Sequence, residues 1–145
     1  MNIFQLDYPV RLREWKHLRD DLQEKSLEEK CVKIDKWWQQ TPLVNHHLHW
    51  SDSENWPDPW TMLSENTYCN FTRALGICHT LLFCDVENIE LIIAADEQCE
   101  DHNLVLVDDA KYILNYHPDT VLSNRINTFS IQRIIDISSI KNNRK

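Results

Sequence analysis

The sequence predicts an α+β domain: N-terminal helices and a cysteine-headed helix packed on an antiparallel β-sheet. Three observations predict it. The first third of the chain reads as two amphipathic helices. A cysteine stands at the head of a third helix near the middle. The second half breaks into short β-branched or aromatic runs bounded by Asp, Glu or Asn. At 145 residues the chain is read as one domain, long enough to bury a substantial core.

The elements follow in order. In "VRLREWKHLRDDLQE", residues 10–24, Leu12, Trp15, Leu18 and Leu22 form one helical stripe, and Pro9 suits a first helical turn. In "SLEEKCVKIDKWWQQ", Ser26 and Glu29 have capping-box spacing. Leu27, Cys31, Ile34 and Trp38 form a second stripe, and Pro42 ends it. Residues 1–42 are therefore expected to make a helical hairpin. Residues 43–63 lack a clean period, hold Trp50, Trp56 and Trp60, and include "WPDPW", where two prolines forbid regular pairing. They are expected to be an irregular, tryptophan-anchored segment. Residues 64–140 are expected to supply the core helix and sheet. In "SENTYCNFTRALGICHTLLF", Asn66 is taken as helix N-cap, which makes Cys69 the third helical residue. Gly76 is taken as the left-handed stop. Strands are then expected in "ICHTLLFCDV", "IELIIAAD", "HNLVLVDD" and "KYILNYHP". The last segment, "TFSIQRIIDISSI", reads as a fifth strand or a short helix, with strand preferred.

Composition removes several functions. The net charge is −8 and the pI about 5.3. Nucleic-acid binding needs a basic face, and only the terminal "KNNRK" is basic. No apolar run approaches transmembrane length, and "MNIFQLDYPVRLREW" lacks signal-peptide character. Neither nucleic acid nor membrane is an expected partner, and a reducing, cytoplasmic location is expected. The cysteines Cys31, Cys69, Cys78, Cys84 and Cys99 are odd in number and lack C-x-x-C spacing, so they read as free thiols. In "NHHLHW", His46 and His49 could share a helical face and hold a metal. No matching pair at ligand spacing exists, and no metal or cofactor is expected.

Cys69 is the candidate for chemistry. A helix N-terminus favours thiolate, and a cysteine nucleophile needs an imidazole and a group to orient it. His102 and Asn115 are the candidates. If "HNLVLV" and "AKYILN" form a hairpin about a two-residue loop, Asp108-Asp109, then His102 faces Asn115. A register shifted by two keeps them diagonal neighbours on one face. A shift by one separates them. The bland readings are a core thiol, a strand-edge histidine and an asparagine that satisfies backbone groups.

The order of Cys69 in "TYCNFTRALGI", His102 in "HNLVLVDD" and Asn115 in "KYILNYHP" resembles the transglutaminase-like branch of the papain-like cysteine protease superfamily. The resemblance covers about residues 60–120. It departs where Thr67 and Tyr68 replace small residues, where Leu104 replaces a tryptophan, and where Asn115 stands for the usual aspartate. It implies acyl transfer on a protein or peptide substrate: Cys69 as nucleophile, His102 as base and then acid, Asn115 holding the tautomer. The Cys69 N–H, with Trp60 or Asn66, would be the oxyanion donors. The alternative is a noncatalytic assembly subunit that keeps the fold and meets a protein partner through its tryptophans. The compact, glycine-poor chain is also similar to small proteins of tailed phages, which implies a tail or baseplate component located in the virion.

Overall fold

The computed structural model describes residues 2–44, 48–118 and 120–142. His46 and His47 of the histidine cluster and the last three residues of "KNNRK" lie outside them. Five α-helices precede, flank and follow a five-stranded sheet. Helix α1 is Tyr8–Leu22, α2 Leu27–Trp38, α3 Pro59–Glu65, α4 Asn70–Phe83 and α5 Ser138–Asn142. Strands are β1 Ile89–Ala95, β2 Asp101–Val107, β3 Tyr112–His117, β4 Thr120–Ser123 and β5 Ser130–Ile135. The sheet order is β4-β3-β2-β1-β5, and all pairings are antiparallel. The expected α+β class is what forms. Among the described residues no helix is long and apolar enough to cross a membrane.

The first two helices follow their stripes. Pro9 lies in the first turn of α1, and Trp15 and Leu22 are fully buried. Ser26 caps α2, its hydroxyl accepting from the Glu29 N–H at 3.2 Å. Both helices are tied to α4 by a single hydroxyl. Thr80 Oγ1 accepts from the indole N–H of Trp15 at 3.0 Å and of Trp38 at 2.9 Å, and donates to the Gly76 carbonyl at 2.7 Å.

Several expected elements need correction. Residues 43–63 are not wholly irregular, because Pro59 opens α3 with Asp58 as its cap. Asn66 does not begin the next helix. It ends α3 in the left-handed conformation (φ 56°), and Cys69 is itself the N-cap of α4. Gly76 does not stop α4. A Cβ there would lie 2.6 Å from the Trp38 ring, so glycine lets that ring close on the helix. "ICHTLLF" is therefore helix, not strand. The last segment is both strand and helix, as β5 and α5, and β4 was not expected.

The β2–β3 register also differs from the two-residue hairpin. Val107 pairs with Tyr112, a shift of two, across a loop in which Asp108, Asp109 and Ala110 all have positive φ. The sheet is apolar on both faces. Leu91, Val105, Val107 and Leu114 join the helices in the main core. Ile92, Ala94, Leu104, Leu106 and Ile113 form a smaller cluster on the far face, with Tyr116, Leu122, Ile126 and Phe129 packed against it.

Candidate functional site

Cys69 has extended dihedrals at the start of α4, where the first N–H groups have no helical partner. Its half-buried thiol lies 3.3 Å from the Thr72 hydroxyl. Burial is the largest single influence on this thiol and pushes its pKa up. The Thr72 hydroxyl and the backbone N–H groups of Leu48, Thr72 and Phe71 together outweigh it, and the net pKa falls below the usual thiol value. Burial pushes Cys31 and Cys78 up to about 12 and Cys84 up to about 11. Cys69 is thus distinguished by its donors.

The thiol borders a cavity of about 540 Å³ whose walls include Leu43, Leu48, His49, Trp50, Phe71 and Asn103. The chain before Cys69 is fixed there: the Val44 N–H donates to the Tyr68 carbonyl at 2.9 Å, and Leu43 bridges Tyr68 in parallel. This leaves Leu43 and Val44 about half exposed at the rim.

The expected trio is not brought together. His102 pairs across the sheet with Ala94, on the far face, and its ring packs against Tyr116 and Phe129. Its Nε2 lies 2.9 Å from Asp96 Oδ2. The β2 residue that reaches the Cys69 cavity is Asn103.

Asn115 does lie on the helical side, through a backbone feature. Its φ is 64°, which breaks the alternation of β3 and turns its side chain away from the face of Ile113. Nδ2 donates to the carbonyls of Asn70 at 3.2 Å and Asn103 at 2.8 Å, and Oδ1 accepts from Gln39 at 3.1 Å. Its own N–H donates to Asp35 at 2.8 Å. Gln39 and Thr41 in turn accept from the Arg73 guanidinium at 3.0 and 2.8 Å. Asn115 thus braces the backbone on either side of the site, and among the described residues no imidazole is a hydrogen-bond partner of its side chain.

Trp60 and Asn66 are not donors to this site. Trp60 packs edge-on against Trp15 and Phe83, and Asn66 donates to the Phe4 carbonyl at 2.9 Å. The residues missed from sequence are Leu48, His49, Thr72 and Asn103. Thr72 was legible in principle, since a hydroxyl three residues after a helix-heading cysteine lies within reach of it. His49 reaches the cavity on a loop without period. Its Nδ1 lies 2.6 Å from the Ser51 hydroxyl, which can accept an Nδ1–H bond and so leave Nε2 as an acceptor, and 3.2 Å from the Ser51 backbone N.

No family model and no curated protein sequence matches the chain. Its fold is nonetheless shared with solved structures. The calcium-bound form of LapG from Legionella pneumophila matches with a TM-score of 0.74 at 14% identity, over 91% of this chain and 77% of that one. A second LapG structure from the same organism matches with a TM-score of 0.68, again at 14% identity, over 86% and 73%. The chain therefore has a LapG-like α+β fold, with helices packed on a five-stranded antiparallel sheet. At this identity the likeness is one of fold.

Proposed function

We propose that the chain is a cysteine-dependent acyl-transfer enzyme acting on protein or peptide substrates, with Cys69 as nucleophile. The observation that carries this reading is the thiol itself. It stands at a helix N-terminus, lies 3.3 Å from the Thr72 hydroxyl, and faces an open cavity. The LapG-like fold suggests a cysteine protease and agrees with it.

In this reading the Cys69 thiolate attacks an acyl carbon and a C–S bond forms. The C–N bond then breaks as the departing amine takes a proton. His49, which lines the cavity, is the proposed proton carrier. With Nδ1–H donating to the Ser51 hydroxyl, Nε2 takes the Cys69 thiol proton, gives it as imidazolium to the departing amine, and takes one back from the water or amine that resolves the thioester. The leucines, Trp50 and Phe71 suit an apolar side chain beside the scissile bond.

A second reading is favoured by one observation: β2 presents Asn103, not histidine, to the thiol. The chain would then bind extended polypeptide and serve as a noncatalytic subunit, for which a phage tail or baseplate remains one setting. The test is the alkylation rate of each cysteine against pH, with intact mass after exposure to an activated peptide ester. The enzyme reading expects Cys69 to react well below the pH at which an ordinary thiol ionises. It also expects an acyl adduct that turns over, with turnover lost in His49→Ala. A Cys69 that titrates as a free thiol overturns it. An adduct that never turns over favours the second reading.

A further inference from the structure

We infer that the β1–β2 turn binds a divalent first-row transition ion, zinc being the reference, through Asp96, Glu100 and His102. The inference is independent of the proposed acyl-transfer site, which lies on the other face of the sheet.

One ligand atom from each of the three residues lies within 4.8 Å of the others. Two ligands on ~2.0–2.1 Å arms at a tetrahedral angle are about 3.3 Å apart. His102 Nε2 and Asp96 Oδ2 are 2.9 Å apart, so opening the pair by a few tenths of an ångström admits an ion. Glu100 is exposed and free to swing onto it.

Two features separate this cluster from an ordinary acidic turn. The imidazole is already dry and oriented. His102 and Asp96 side chains are each 11% exposed, and the ring is wedged among Tyr116, His117 and Phe129 with centroids 4.9, 5.9 and 6.3 Å away. A ligand atom held this way loses little freedom on binding. The second feature is the cavity beside the cluster, about 400 Å³, which Asp96 and Glu100 share with His117 from β3. A fourth ligand, or water, has room there. The turn "DEQCED" carries four carboxylates and no cation, and they outnumber Arg125, which also lines the cavity.

Ligand type sets the ion. One imidazole and two carboxylates suit zinc, cobalt or nickel, whereas calcium takes oxygen ligands in larger number. The bound form of LapG contains calcium, so calcium belongs in the test.

The experiment is a cobalt titration of the full chain after chelator treatment, in a Cys99→Ser background, because Cys99 is an exposed thiol in the same turn. The expected result is one equivalent of cobalt with the intense visible bands of four-coordination, displaced by zinc. Glu100→Gln, at an exposed position, should weaken binding at least about tenfold while leaving the fold unchanged, and His102→Ala should abolish it. Absence of the visible bands overturns the inference, leaving a plain His–Asp hydrogen bond. So does affinity unchanged in both variants, and so does thermal stabilisation by calcium with none by zinc.

Discussion

His102 and Asn103 are neighbours in the chain and belong to different worlds. Asn103 looks into the helical layer, toward a thiol held by Thr72 and backbone N–H groups and braced through Asn115. His102 looks to the far face, into a small aromatic cluster beside a carboxylate. The helical face is thick and saturated with buried hydrogen bonds. The far face is thinner, covered by the chain between β4 and β5. Perturbations of the helical face should therefore cost the fold more.

The largest effect is expected at Thr80. Thr80→Val keeps the shape and removes an acceptor that two buried indole N–H groups share, so both are left unpaired. At ~1–3 kcal/mol per orphaned group, the loss should be about 2–5 kcal/mol in urea unfolding. Thr80→Ser keeps the oxygen and should cost less than half of that. Equal losses for the two variants would mean that the methyl packing, not the hydroxyl, joins α1 and α2 to α4.

The neighbouring His79 tests the same face through pH. Burial lowers its pKa to about 4 from 6.5, against a weaker opposing pull from Asp58. Between those values the unfolded chain binds a proton that the folded chain does not. Stability is therefore full above pH 6.5 and falls as pH drops from 6.5 to 4, by up to roughly 3 kcal/mol. His79→Leu should flatten that part of the stability–pH curve. An unchanged slope would assign the acid sensitivity to carboxylates instead.

Much of the fold was legible because it rests on local rules. The stripes of α1 and α2, the Ser26 cap and the runs of β1 to β3 are each written in a few adjacent residues. The misreadings share a cause in tertiary context. Gly76 reads as a stop until Trp38 is seen to need its missing Cβ. The candidate site failed at β2 for a sharper reason. A strand declares its faces by alternation, and from Leu104 to Val107 every residue is buried, so "LVLV" carries no period. Even the observed register, shifted by two, would have kept His102 and Asn115 on one face in an unbroken strand. The left-handed turn at Asn115, unmarked by glycine, moved Asn115 to the other side. Cys69 was found because its position depends on a helix start, although the start lay three residues later than expected.

The next perturbation bears on that turn. Asn115→Ala removes three side-chain hydrogen bonds and leaves at positive φ a residue that tolerates it less well than asparagine, with an expected cost of about 2–3 kcal/mol. Asn115→Gly loses the same bonds and keeps the conformation, and should recover about 1 kcal/mol of it. If the brace also fixes the head of α4, both variants should slow Cys69 alkylation at neutral pH while leaving Cys99 unchanged.

The smallest effect is expected on the exposed edge of the sheet. Ile134, in β5, is 65% exposed and pairs with Ile92, whose own side chain is fully buried in the far-face cluster. Replacing Ile134 by lysine removes apolar surface that is largely in water already and charges an edge strand, so stability should change by no more than about 0.5 kcal/mol. The same change at Ile92 would bury a charge and should unfold the chain. The pair makes the contrast between the faces quantitative. If Ile134→Lys costs as much as a core substitution, the far face is covered by something in solution. Sedimentation of the wild-type chain against the variant would then show whether a second copy supplies the cover.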